Sequence, residues 1–265
     1  NEEQLHAIRL KYIERAKGLP IRVLFNTTIC DDNFHDIPTL IQFFKTHADK
    51  INLASFQLQA DTGRGVLRER DDALITQQSV MDSIATASGT NMVYDMPLIG
   101  HPDCNKYTAL LTCGDTAIPL YEDKEFFTYL FSKMATAGAD WTVEEKVLPR
   151  AIMAGLKSPK LAYLGLKFAI KTAWKLRRDL IKGHGIHRIS FFIHNFMDAE
   201  KLEKSRCESC VFMVATANGP LSMCVHNAKR DQMISQKTDQ WDPLAKHKDL
   251  KSAESLPLKK LKGRL

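Results

Sequence analysis

Three of the six cysteines in this sequence fall within one short segment, residues 206–231. Cys207 and Cys210 form a C-x-x-C pair. Cys224 follows the dipeptide Asn218-Gly219, which strongly favours a tight hairpin turn. A pair of thiolates with a third folded back beside it is typical of a zinc or iron–sulfur site. Inert cysteines in a hairpin are the alternative, because free cysteine is among the most buried residue types.

The register of the predicted hairpin raises a question about Cys210. A turn at residues 218–219 would place Cys224 opposite Met213. Cys210 lies three residues before Met213, so in a regular strand it faces the other side of the sheet. There are three possible arrangements. Cys210 lies before the strand begins, or a β-bulge turns its side chain to the other face, or Cys210 is not a ligand of the site. The predicted hairpin has two strands, residues 211–216 and 221–226.

The composition argues against a membrane span and against a disulfide framework. No apolar run approaches the roughly 20 residues that a span needs. Six cysteines without a signal peptide indicate a reducing compartment, so we expect a cytoplasmic protein. The net charge is +6, and most of it lies in the last third of the chain. This charge could bind an acidic partner or anionic lipid, or it could have no specific role.

The first part of the sequence alternates helices and strands in the order of a parallel α/β sheet or barrel. The predicted elements are a helix at 2–17, a strand at 21–27, a helix with Pro38 near its start, a strand at 51–58 and a helix at about 72–87. The helix at Pro38 has one apolar face, formed by Ile37, Leu40, Ile41 and Phe44. We expect the two strands to be adjacent and parallel, joined by a right-handed helical crossover. Two strands complete neither a barrel nor a stable open sheet, so we expect the front of this domain to precede Asn1.

A long basic helix is predicted at residues 158–182, beginning at Ser158-Pro159 and ending before Gly183. Its basic residues share about a third of its circumference: Lys160, Lys167, Lys171, Lys175, Arg178 and Lys182. Small and apolar residues lie opposite: Ala162, Ala169, Ala173, Leu176 and Leu180. A solvated face is the simpler interpretation, and contact with a membrane surface or an acidic protein is the alternative. We expect no nucleic-acid partner, because no aromatic residues interleave with the basic ones.

Other predicted elements flank the cysteines. A loop at 96–104 leads into a strand that holds Cys113, and a capping box at 142–145 opens a further helix. Residues 187–195 alternate as a strand, and Asp198 can cap a short helix that delivers Cys207.

The first ninety residues resemble the last part of a radical S-adenosylmethionine (SAM) barrel. The resemblance rests on IRVLFNTTICDDNFHDIPTLIQFF followed by INLASFQLQADTGRG. In these enzymes a strand with a polar end leads through an acidic loop to a helix, and the next strand ends in an FQ step and a T-G-R loop. The residues that carry the match are Phe25, Asn26, Thr27, Asn33, Asp36, Phe56, Gln57, Thr62, Gly63 and Arg64.

The segment MPLIGHPDCNKYTALLTC resembles the C-terminal extension of one branch of that superfamily. The branch includes archaeal tetraether-lipid synthases and enzymes described as pterin methyltransferases. His101, Pro102 and Cys104 match its H-P-x-C loop, whereas Ala109 replaces the usual aromatic or aliphatic residue. SMCVHNAKRD is similar to the tail of bacterial members.

The resemblance implies an α/β fold: the C-terminal part of a partial TIM-type (radical SAM) barrel followed by an α+β extension with a cysteine-bearing β-hairpin. The barrel portion would occupy residues 1–93, the extension 94–231 and a polar tail 232–265.

The resemblance also implies an enzyme in which a reduced [4Fe–4S] cluster cleaves SAM to start radical chemistry on an unactivated C–H bond. The C-x-x-x-C-x-x-C loop that holds this cluster in the family is absent, and we expect it before Asn1. Asn26, Gln57 and Arg64 are the candidates for SAM binding, since barrel sites lie at the carboxyl ends of strands. Asn26 and Gln57 could equally satisfy loop backbone groups, and Arg64 could hold its loop against Asp61.

An auxiliary cluster in the extension would need four thiolates. The candidates are Cys104, Cys207, Cys210 and Cys224. Cys113 is interpreted as a core residue of a strand, and Cys30 could be either a core residue or a ligand. Zinc on the same thiolates, or on three of them with His101 or His226, is the inorganic alternative. The expected partners are a small-molecule or lipid substrate and a reductant such as ferredoxin or flavodoxin. A non-catalytic zinc or iron–sulfur scaffold is the alternative function.

Overall fold

The computed structural model of the chain describes residues 2–21, 23–62, 74–94, 96–136, 157–216 and 219–234. The helices are α1 (His6–Ala16), α2 (Ile37–Thr46), α3 (Gln77–Ser88), α4 (Lys124–Thr136), α5 (Pro159–Ile181), α6 (Lys204–Glu208) and α7 (Met223–Ile234). The strands are β1 (Val23–Ile29), β2 (Ile51–Leu58), β3 (Asn105–Cys113), β4 (Thr116–Pro119), β5 (Ile186–Asn195), β6 (Met213–Thr216) and β7 (Gly219–Ser222). Short 3-10 helices occupy Glu3–Leu5, Phe34–Asp36 and Leu120–Glu122.

Five strands form one mixed sheet in the order β1-β2-β5-β3-β4. β1, β2 and β5 are parallel, which confirms that the strands on either side of α2 are adjacent and parallel. β3 runs antiparallel to both β5 and β4. The described strands do not close into a barrel, and strands from both predicted parts of the chain share this sheet.

One face of the parallel strands packs against α2 and α3. Side chains alternate along a strand, so Phe56 and Phe191 point to this face together. They are fully buried, as are Leu40 and Phe44 on the predicted apolar face of α2. Burial of each such side chain contributes about 1.5–3 kcal/mol. A capping box at Thr76 stabilises the first turn of α3, and the Thr76 hydroxyl accepts from the Ser79 N–H at 3.0 Å.

The opposite face of the sheet is covered at one end only. Over β3, Ala109 is fully buried in a cluster with Tyr121 and Phe127, which brings α4 against the sheet. At the other end, Leu24 and Asn26 of β1 are exposed on this face. The open region therefore lies over β1.

The segment around Cys224 differs from its prediction. Thr216 pairs with Gly219, one residue earlier than the predicted turn, so Ser222 rather than Cys224 is opposite Met213. The predicted strand at 221–226 is wrong, because helix α7 begins at Met223. Pro220 gives the ladder no N–H, and good helix formers such as Ala228, Lys229 and Arg230 follow, so the short strand gives way to a helix.

The predicted role of Asp198 is also wrong. Its carboxylate accepts the backbone N–H of Asp61 at 2.7 Å, and α6 begins only after Glu203. Several other predictions lie outside the described residues: Gly63 and Arg64, Asn218, the capping box at 142–145 and the tail from residue 235.

His194 on β5 is enclosed by aromatic rings. Its imidazole stacks on Phe192 with ring centroids 4.2 Å apart and lies edge-on to Phe212 at 4.9 Å. Its Nδ1 lies 3.1 Å from the Asn105 Oδ1. Burial lowers the pKa of His194 from 6.5 to about 4, because the apolar surroundings disfavour the charged ring.

Because of His194, we expect the protein to lose stability as the pH falls from about 6.5 to about 4. The unfolded histidine takes up a proton below pH ~6.5, whereas the folded one does so only near pH 4. The shift corresponds to at most about 3 kcal/mol, and since the ring is only partly buried we expect a loss of about 2 kcal/mol. Urea unfolding at pH 7 and pH 4 measures it. His194→Phe should reduce the loss, whereas His187→Gln, at an exposed position of the same strand, should leave it unchanged.

Candidate metal centre

Four cysteines from distant parts of the chain line one small cavity. They are Cys104, Cys207, Cys210 and Cys224. The same cavity is lined by Asn105, Asn195, Phe196, Met197, Arg206, Phe212 and Ser222. The structure thus brings together the whole predicted ligand set, including Cys104, which is about a hundred residues from the others in sequence.

The loop that carries Cys104 is tied to the end of β5. The Cys104 N–H donates to the His101 carbonyl at 3.0 Å, and the Asn195 N–H donates to the Cys104 carbonyl at 2.8 Å. The Asn195 side chain also donates to the Asp103 carbonyl at 3.0 Å. Because Asn195 is the last residue of β5, these bonds hold Cys104 at the carboxyl edge of the parallel strands.

The C-x-x-C pair spans the end of α6. The Cys207 N–H donates to the Glu203 carbonyl at 3.1 Å, and the Cys210 N–H donates to the Cys207 carbonyl at 3.3 Å. Cys210 lies before β6, which begins at Met213, so the first of the three arrangements considered for it is the one adopted. The Cys210 thiol donates to the Phe212 carbonyl at 3.2 Å.

Cys224 is the second residue of α7 and is buried. Burial raises the pKa of its thiol, and the N–H of Met197, which lies 3.4 Å from the sulfur, opposes this shift. The neighbouring Cys210, Cys104 and Cys207 raise the pKa further, because each would add a like charge. Metal binding at this site must therefore displace a proton from Cys224.

Arg206 connects three segments of the site. Its side chain is buried, and its Nε donates to the Cys104 sulfur at 3.1 Å. One terminal nitrogen donates to the carbonyls of Asn195 at 2.6 Å and Asp103 at 3.3 Å. Glu203 lies 3.5 Å from the guanidinium and partly balances its charge. Sequence reasoning missed Arg206, although a basic residue directly before a C-x-x-C pair is a usable signal.

The chemistry of the donor set fits a thiolate-bound metal. The buried Ser222 hydroxyl also lines the cavity and has no hydrogen-bond partner among the described residues, so it can donate to a sulfur there. Among the described residues, no three His, Cys, Asp or Glu side chains already surround one point as metal ligands do. The free space, about 10 Å³, holds about one water-sized sphere. A single ion fits this space, and a four-iron cluster requires the thiol side chains to swing outward.

The remaining candidate ligands lie elsewhere. Neither His101 nor His226 lines the cavity, so its walls favour four thiolates over three with a histidine. The Cys30 N–H donates to Asn33 at 2.9 Å in the loop after β1. Cys113 is fully buried at the far end of β3, as expected for a core residue.

Two of the three SAM-binding candidates, Asn26 and Gln57, lie together on one face of the sheet. The Asn26 side-chain amide donates to the Gln57 Oε1 at 3.3 Å, so these two side chains contact each other across β1 and β2. Asn26 lies within β1, which continues to Ile29, and not at the strand end as predicted. Arg64 lies outside the described residues.

The cysteine cavity adjoins a larger cleft at the same edge of the sheet. This cleft has a volume of about 220 Å³ and is lined by Leu58 and Gln59 at the end of β2. It shares Asn195, Met197 and Arg206 with the cysteine cavity. Leu58 pairs with Asn195, so the carboxyl ends of β2 and β5 coincide there.

We predict that Arg206→Ala lowers the free energy of unfolding by about 2–4 kcal/mol, because it removes the hydrogen bonds of a buried guanidinium to the Cys104 sulfur and to the part-buried carbonyls of Asn195 and Asp103. Urea unfolding of the chain measures the change. Lys204→Ala, at an exposed position of the same short helix, is the matched control and should cost less than about 0.5 kcal/mol. A loss below about 1 kcal/mol for Arg206→Ala would contradict this role of the guanidinium.

Comparison with protein-family models finds none that matches the chain, and comparison with curated proteins likewise finds no match.

Proposed function

We propose that this chain is the C-terminal part of a radical SAM iron–sulfur enzyme, with an auxiliary [4Fe–4S] cluster held by Cys104, Cys207, Cys210 and Cys224. The observation that carries the proposal is the meeting of these four cysteines at one cavity. A four-iron cluster generally takes four thiolate ligands, which is the number present.

The position of the cavity supports an enzyme. It lies beside the carboxyl ends of two parallel strands, β2 and β5, and barrel enzymes build their active sites at that edge. The resemblance to a partial TIM-type barrel agrees with three parallel strands whose second face is open over β1. We infer that the part of the barrel before Asn1 would cover this open face.

The residues around the cysteines suit a cluster that transfers electrons. Arg206 and the Met197 N–H donate to the sulfurs of Cys104 and Cys224, and hydrogen bonds to ligand sulfurs tune a cluster's reduction potential. The buried Ser222 hydroxyl supplies a further donor inside the cavity. The guanidinium also offsets part of the negative charge that four thiolates bring.

The SAM-cleaving centre belongs to a different part of the intact protein. The six cysteines here include no C-x-x-x-C-x-x-C spacing, so this chain is not expected to be active alone. Asn26 and Gln57 would bind the polar parts of SAM from the open face, after their mutual hydrogen bond opens. A ferredoxin or flavodoxin would supply electrons, and the substrate would be a small molecule or a lipid.

A non-catalytic zinc scaffold is the second candidate. The small free space between the thiols favours it, because one ion needs less rearrangement than a cluster does. Thiolates bind both zinc and iron–sulfur clusters, so the ligand type does not choose between them.

Anaerobic reconstitution of this chain with iron and sulfide separates the two candidates. We expect about four irons and four sulfides per chain, and the loss of nearly all of them in the double variant Cys210→Ala, Cys224→Ala. Cys30→Ala is the matched control, since that thiol lies outside the cavity, and it should retain the full iron content. Iron retained by the double variant, or tight zinc binding without any cluster, would refute the proposed auxiliary cluster.

The enzyme proposal has a separate test in the intact protein. The coding sequence before Asn1 should contain C-x-x-x-C-x-x-C. Replacing Asn26 and Gln57 together with Ala should weaken SAM binding, measured by calorimetry, by about tenfold or more, because each lost hydrogen bond costs about 0.5–1.5 kcal/mol. Asn52→Ala, at the opposite end of β2, is the control and should bind SAM normally. An upstream sequence without the motif would rule out the enzyme.

A further inference from the structure

The outward face of α5 is largely apolar. It exposes five large hydrophobic side chains: Tyr163 (66%), Leu166 (62%), Ile170 (61%), Trp174 (68%) and Ile181 (85%). Their spacings of three, four, four and seven residues place them on one side of the helix. Ala162, Ala169 and Ala173, which lie opposite the basic residues as predicted, are also exposed and widen this surface. We call these five hydrophobic residues the α5 stripe.

The opposite face of α5 is fixed against the protein, so the α5 stripe cannot turn inward. Leu164 and Leu176 are buried, and Phe168 stacks on Phe126 of α4 at 5.0 Å between ring centroids. The buried carboxylate of Asp179 accepts from the Thr116 hydroxyl and from Lys182 at 3.2 Å. The packing of the inward face therefore holds the α5 stripe outward.

The charged residues of α5 that border the stripe are basic. Asp179 is the only acidic residue of α5, and it is buried. Lys171 and Lys175 pair with Glu122, and Lys160 lies 3.8 Å from Glu125. Lys167 and Arg178 are exposed, with no ion-pair partner among the described residues. The Arg177 guanidinium lies 4.2 Å from the centroid of the Trp174 ring, next to the stripe.

We propose that the α5 stripe docks on the surface of an anionic lipid bilayer, a property that goes beyond the proposed function and does not depend on it. Helices that lie in the membrane interface combine an apolar face, aromatic rings at headgroup depth and flanking cations. Each basic residue near an anionic surface adds attraction. No described helix is long and apolar enough to cross a membrane, so α5 would lie along the surface.

Charge disfavours two other occupants of this surface. A second copy of α5 would bring its Lys167 and Arg178 against the same cations, without acidic residues to balance them. The chain's own segment 235–265 holds eight basic and four acidic residues, so it also carries excess positive charge. An anionic lipid headgroup matches both the charge and the apolar surface.

Vesicle co-sedimentation of the full chain tests the proposal. We expect binding to vesicles of phosphatidylcholine with phosphatidylglycerol, much weaker binding to phosphatidylcholine alone, and loss of binding at high salt. Ile170→Ser with Trp174→Ser should weaken binding at least tenfold, because two large apolar side chains no longer insert. Lys167→Glu with Arg178→Glu should weaken binding to the anionic vesicles only.

The matched control replaces two exposed hydrophobics with the same spacing on α1, Ile8→Ser with Tyr12→Ser, and should bind like the unchanged chain. Equal binding by the α5 double variant would overturn the proposal. So would a dimer in light scattering that this variant dissociates, because the partner would then be a second copy. A large fall in its melting temperature would also overturn it, since the stripe would then be covered by another part of this chain.

Discussion

The candidate metal centre depends on the buried guanidinium of Arg206. A buried charge is tolerated only where its N–H groups all find acceptors, and this one finds the Cys104 sulfur and the carbonyls of Asp103 and Asn195. These acceptors belong to the loop before β3 and to the end of β5, whereas Arg206 itself lies on α6 beside Cys207. One side chain thus joins the three segments that carry or border the thiols.

The sheet determines where those segments meet. β3 pairs antiparallel with β5 in a register that sets Asn105 opposite His194, so the residue before β3 lies beside the last residue of β5. Since β5 runs parallel to β2, this point is also the carboxyl edge of the parallel strands. The cysteines therefore lie where an α/β sheet ordinarily binds its ligands. The α5 stripe is on a separate element, and its proposed contact with lipid is independent of the metal.

The features predicted correctly from sequence are those set by local pattern. Apolar spacing predicted the buried face of α2, and Ser158-Pro159 predicted the start of α5. The β7–α7 boundary was missed because alternating residues and an Asn-Gly step favoured a longer hairpin, whereas the observed pairing ends at Ser222. The outward face of α5 was also missed, because burial depends on which side packs against α4 and β4. The role of Arg206 depends on its contacts with Asp103, Cys104 and Asn195, which lie on other segments of the chain. A local sequence pattern does not contain such contacts.

Anomalous X-ray scattering from crystals of the anaerobically purified chain tests the central claim most directly. Data collected on either side of the iron and zinc absorption edges identify the metal and its position in one experiment. The proposed auxiliary cluster predicts an iron peak within bonding distance of the Cys104, Cys207, Cys210 and Cys224 sulfurs. A zinc peak at that position would favour the scaffold, and an ordered cavity with four free thiols and no metal peak would contradict a metal centre there.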